Sequence, residues 1–132
     1  MKLRLNHPKL VFTPFLAAFW AGTIAVASLL PADRAVTSGL WDKIEHCGAF
    51  ALLALLILFA CPRRSLATIL LAVTTYGGLI ELAQFFSPGR FPDLWDGVAN
   101  FVGASVALLL AQLWRTIRVK RDDSFVQEPS TE

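Results

Sequence analysis

The chain has 132 residues, 55% of them hydrophobic and only 17% charged, with a net charge of +2. A soluble domain of this length carries about 25% charged residues, so the composition argues against a water-solvated fold and for one solvated by lipid. Length allows one domain. The two cysteines, Cys47 and Cys61, lie fourteen residues apart in one apolar run. That is roughly 21 Å along a helix, too far for an intrachain disulfide, so both read as small hydrophobes.

Four apolar runs are long enough to cross a hydrocarbon core of about 30 Å. They fall at 10–30, 44–61, 66–86 and 94–113, predicting an all-α polytopic membrane protein, a bundle of four transmembrane helices. Pro31 with Asp33 and Arg34, then Cys61-Pro62-Arg63-Arg64, then Ser87-Pro88-Gly89-Arg90-Phe91-Pro92 punctuate them. Trp41, Trp95 and Trp114 stand at run ends, where indoles favour the headgroup layer. The expected organisation is a membrane domain over 1–118 and a polar, disordered cytoplasmic tail over 119–132.

Loop charges give the orientation. Nine Lys and Arg residues flank one side of the runs: Lys2, Arg4, Lys9, Arg63, Arg64, Arg115, Arg118, Lys120 and Arg121. Only three, Arg34, Lys43 and Arg90, flank the other. The positive-inside rule then expects both termini in the cytoplasm. Cleavage of residues 1–27 as a signal peptide, after Ala25-Val26-Ala27, is an alternative that leaves this orientation unchanged.

Almost every ionisable residue of the apolar runs falls near the opposite, extracytoplasmic face. Asp42, Lys43, Glu45 and His46 open the second run; Glu81 and Gln84 close the third; Arg90 and Asp93 lie in the turn; Asp96 and Asn100 open the fourth. A carboxylate in lipid costs several kcal/mol unless paired, so such residues mark functional sites by default. Asp42 and His46 are four apart and share a helix face, as do Glu81 and Gln84 at three apart. Asp96, Asn100 and Gly103 line one stripe, with Ala99 and Ala107 around Gly103 for close helix approach. Three stripes at one depth predict a single pocket.

Asp42-Lys43-x-x-His46, Glu81-x-x-Gln84-Phe85 and Pro88-Gly89-Arg90-x-x-Asp93-x-x-Asp96-x-x-x-Asn100-x-x-Gly103 resemble the VanZ-like family of small bacterial membrane proteins. The match runs from Asp42 to Gly103. In one departure, Phe50 stands where the family often has Tyr. The resemblance implies a multi-pass protein of the bacterial cytoplasmic membrane and a link to glycopeptide resistance, without giving a reaction.

The residue types suggest work on an anionic envelope lipid or lipid-linked precursor. Arg90 and Lys43 would hold a phosphate. His46, oriented by Asp42, and Glu81 would move protons, with Asp96 as a further acid–base group. Gln84, Asp93 and Asn100 would position the substrate. No cofactor is predicted; His46, Glu81, Asp93 and Asp96 could hold a divalent cation, although their spacing is not diagnostic. Two other classes compete: a small proton-coupled transporter, and a structural accessory protein whose polar contacts only fix helix register. For single residues the structural alternative is serious, since Asp42 could simply cap a helix and Gly77-Gly78 form a packing notch. A nucleic-acid partner is not expected, because the basic residues flank membrane runs and lack an aromatic platform.

Overall fold

A computed structural model describes residues 12–31 and 40–126. It contains four α-helices and, among the described residues, no strand: α1 (Thr13–Leu29), α2 (Leu40–Ala60), α3 (Leu66–Ala83) and α4 (Leu94–Val126). A short 3-10 turn, Gln84–Phe86, extends α3. Three helical stretches, Leu40–Ala60, Leu66–Phe86 and Leu94–Arg121, are long and apolar enough to span a membrane. The equally apolar α1 has 17 residues, about 26 Å of rise, near the lower limit for a crossing. Expected residues 10 and 11 lie outside the described ones, as do Asp33 and Arg34.

Local chemistry sets the helix ends. Pro14 sits in the first turn of α1, where its missing N–H costs nothing. That helix stops at Leu29, with Leu30 extended (ψ 140°) before Pro31. α2 starts at Leu40, four residues earlier than expected, with Asp42 in its first turn, where the helix dipole favours a negative charge. Pro62 prevents its continuation beyond Cys61. Ser65 caps α3 by accepting the Thr68 amide at 3.1 Å. After the 3-10 turn, Gly89 takes φ 74°, a left-handed conformation that glycine adopts without strain.

One expectation needs correction. The polar segment from 119 was read as a disordered tail, yet α4 stays helical through Val126. No glycine or proline falls between Ala104 and Glu128, and Lys and Arg, good helix formers, prolong the helix after the apolar run ends. Residues 127–132 lie outside the described ones.

The bundle is held by apolar packing at its centre. Phe50, Leu53, Ala54 and Leu58 of α2 meet Ile69, Val73 and Ile80 of α3, Ala104 and Leu108 of α4, and Ile24 of α1. α2 packs most extensively on α4, and the reason is small residues. A Cβ at Gly103 would overlap the Cys47 carbonyl group, while Ala104 and Ala107 beside it are buried. Without a hydrophobic drive between helices in lipid, such close approach and interhelical hydrogen bonds supply the attraction. The Trp20 indole donates to the Ala49 carbonyl at 2.9 Å, and the Tyr76 hydroxyl donates to the Ala21 carbonyl, tying α1 to both neighbours.

Candidate functional site

The starts of α2 and α4 and the end of α3 meet at one end of the bundle. There Asp42, Lys43 and His46 of α2 come together with Glu81 of α3 and with Asp93, Asp96 and Asn100 around the start of α4. These side chains, on three helices in the sequence, form one cluster in three dimensions. Gln84 and Arg90 are used elsewhere.

Asp93 organises the start of α4. Its Oδ1 accepts the Trp95 amide at 2.8 Å, and its own amide donates to Glu81 Oε2 at 3.1 Å. The Lys43 ammonium donates to Asp93 Oδ2 and to Asp96 Oδ1, bridging α2 to α4. Hydrogen bonding to this ammonium holds the Asp93 carboxyl below the usual carboxylate range, assisted by the Trp95 amide. Lys43, a candidate phosphate ligand by residue type, has two carboxylates as its partners here.

His46 lies deeper, its side chain 10% exposed. Nδ1 is 3.1 Å from Asn100 Oδ1. An amide oxygen only accepts, so Nδ1 donates this bond and Nε2 is the ring nitrogen left facing the cluster. That nitrogen faces Asp96 Oδ2 at 3.9 Å, beyond hydrogen-bond range. Asp42 joins them: one ligand atom from each of Asp42, His46 and Asp96 lies within 4.8 Å of the others. Three side chains able to act as ligands thus lie side by side.

Glu81, Asp96 and Asn100 are buried, and two of their atoms lack a hydrogen-bond partner: Glu81 Oε1 and Asn100 Nδ2. Asn100 Nδ2 stands by Gly77, where a Cβ would come within 3.0 Å of it and of the Phe50 ring. Gly77 is accordingly a packing notch. Phe50 is fully buried, at 0% exposure, and its lack of a hydroxyl leaves the neighbouring amide with an apolar edge.

The second polar group closes the end of α1. Gln84 Nε2 donates to the Ser28 carbonyl at 3.2 Å, Ser87 Oγ to Leu29 at 2.8 Å and Arg90 Nε to Leu30 at 3.0 Å. The last carbonyls of a helix have no partners within it, and in a membrane that deficit is costly. Ser87 was not anticipated as a contributor. Its signal was indirect: a helix stopped by Pro31 needs donors, and the Ser87–Arg90 turn is the donor-rich segment at that depth. Glu45, directly before His46, is exposed. A separate groove of about 530 Å³ between α2 and α4, lined by Ala51, Leu55, Ala107 and Leu110 among others, is almost wholly apolar and holds none of the clustered carboxylates.

The family profile of VanZ/LLP1 matches residues 2–115. An uncharacterised protein of Schizosaccharomyces pombe, C11E3.10, is 37% identical over 84 residues, covering 61% of this chain and 52% of the yeast protein. The chain thus spans about half the length of that relative, which is eukaryotic, so the bacterial setting does not extend to every relative. No solved structure matches. With the profile covering most of the sequence and the helices apolar, this chain belongs to the VanZ/LLP1 family and is an all-helical membrane protein.

Proposed function

We propose that this protein engages the phosphate-bearing headgroup of a membrane lipid, or of a lipid-linked glycan, in a pocket at the extracytoplasmic face, with His46 as its acid–base group. The observation that carries this reading is the His46 ring, held with Nδ1 on Asn100 and Nε2 free beside Asp96. A base with a fixed tautomer serves proton transfer; register alone would be served by any satisfied pair. Lys43 holds Asp96 in place, and Asp93 with Glu81 fixes the start of the helix that carries it.

Orientation rests on the nine-to-three distribution of Lys and Arg across the two sides, which puts both termini in the cytoplasm and the pocket at the outer leaflet. In a bacterium this is the cytoplasmic membrane and an envelope lipid, which would connect the protein to glycopeptide tolerance. A lipid headgroup is also a substrate class available to a yeast relative. Transport is less well supported, since the opposite half of the core, at Leu53, Leu58, Ile69, Val73 and Leu108, is apolar. The structural alternative accounts well for Gln84 and Arg90, which cap α1, and for the His46–Asn100 bond, but gives no role to Nε2 facing Asp96.

The test is a lipid profile of cells lacking the gene, complemented with wild type or with His46→Ala. One headgroup class should shift in the deletion and return only with wild type. An unchanged profile, or full restoration by an inserted His46→Ala protein, would overturn the reading.

A further inference from the structure

The pocket has too much negative charge for the ligand just proposed. Among the described residues, Asp42, Glu81, Asp93 and Asp96 share this end of the bundle with Lys43, whose partners are Asp93 and Asp96. Arg90 Nε is bonded to the end of α1. A phosphate approaching this cluster meets carboxylates, and only a further cation reverses the local sign.

We infer that Asp42, His46 and Asp96 form a divalent-cation site, through which the pocket takes a phosphate headgroup. The cation half stands on the geometry alone; the phosphate half rests on the headgroup reading. One ligand atom each from Asp42, His46 and Asp96 lies within 4.8 Å of the others, and His46 Nε2 faces Asp96 Oδ2. At 3.9 Å, Nε2 and Asp96 Oδ2 are too far apart to share a proton directly and close enough to share an ion.

The surroundings are those of a ligand set. A metal-binding histidine gives its other ring N–H to a fixed acceptor, which sets the tautomer; Asn100 Oδ1 is that acceptor. Asp96 is oriented through its other oxygen by Lys43. A second observation is independent of these three residues. Glu81, 8% exposed, leaves Oε1 buried without a hydrogen-bond partner, within electrostatic reach of both His46 and Asp96. Buried carboxylate oxygens are rarely left unpaired, and a cation in the cluster would compensate this one. One imidazole with carboxylates favours Mn²⁺ or Zn²⁺ over a purely oxygen-ligated ion. Three protein ligands leave coordination positions for water or phosphate.

The experiment uses the full chain in nanodiscs of phosphatidylcholine, stripped with chelator and titrated with Mn²⁺ while free ion is followed by electron paramagnetic resonance. One saturable site per chain, displaced by Zn²⁺, is expected. His46→Gln and Asp96→Asn should each weaken it about 10-fold or more, and Asn100→Ala by about 10–100-fold through the histidine. Asp42→Asn, at the half-exposed mouth, tests the site with the least risk to folding. Cys61→Ser should bind as wild type, separating this site from thiol binding. No saturable site, or undiminished affinity in folded Asp42→Asn and His46→Gln, overturns the proposal. In discs containing phosphatidic acid, lipid retention that rises with Mn²⁺ supports bridging. Retention equal with and without the ion overturns the bridge and leaves the cation site standing; no retention despite ion binding overturns the headgroup reading instead.

Discussion

Gly103 of α4 presses its Cα against the backbone carbonyl of Cys47 in α2, leaving no room for a Cβ. Cys47 directly follows His46 in α2 and Gly103 lies one turn beyond Asn100 in α4, so the spacing that lets the backbones touch also sets the His46–Asn100 distance. Packing and chemistry share one interface.

Gly103→Ala should therefore destabilise the protein by about 1–3 kcal/mol or more, the cost of overpacking against atoms that cannot rotate away. Gly48→Ala and Gly78→Ala, which meet nothing within 4 Å, should melt close to wild type in detergent. Equal melting of all three would mean that the α2–α4 contact is looser than described.

Phe50→Tyr tests the neighbouring void in polarity. The Phe50 ring and the unpartnered Asn100 Nδ2 both border the Gly77 notch, and a hydrogen bond regained there by the added hydroxyl would contribute about 1 kcal/mol. A raised or unchanged melting temperature is expected. A loss of several degrees would mean that the ring is too tightly enclosed to accept an oxygen.

Acid sensitivity should have one identifiable component. The Lys43 ammonium lowers the Asp93 carboxyl below its ordinary range, so its contribution is complete above the unfolded carboxylate value of about 3.9 and fades as pH falls through the lower folded value. Melting curves should show no Asp93-dependent change between pH 7 and pH 5. Below about pH 4, Asp93→Asn should flatten part of the decline, and an identical acid limb in both proteins would count against the pair.

Arg90 distinguishes capping from catalysis. Arg90→Ala and Ser87→Ala each remove a bond to the last carbonyls of α1, and each should lower stability by about 0.5–1.5 kcal/mol. Neither should abolish the lipid phenotype once the protein is inserted, whereas His46→Ala should. A dead but stable Arg90→Ala would return the guanidinium to the substrate.

The sequence by itself determined the solvent, the helices and the address of the polar residues. Apolar runs of membrane length can satisfy their backbone only as helices, and a period of 3.6 residues puts Asp42 on the face of His46 and Asp96 on that of Asn100. Gly103 between Ala99 and Ala107 already marked the close contact. Tertiary structure alone decided the partners. Lys43 and Arg90 carry long side chains that can reach several neighbours, and helical spacing does not say which oxygens lie within that reach. Packing turned Lys43 onto Asp93 and Asp96, and Arg90 onto the open end of α1. Lys43 remains inside the cluster as a tie between α2 and α4, while Arg90 Nε ties the turn to α1.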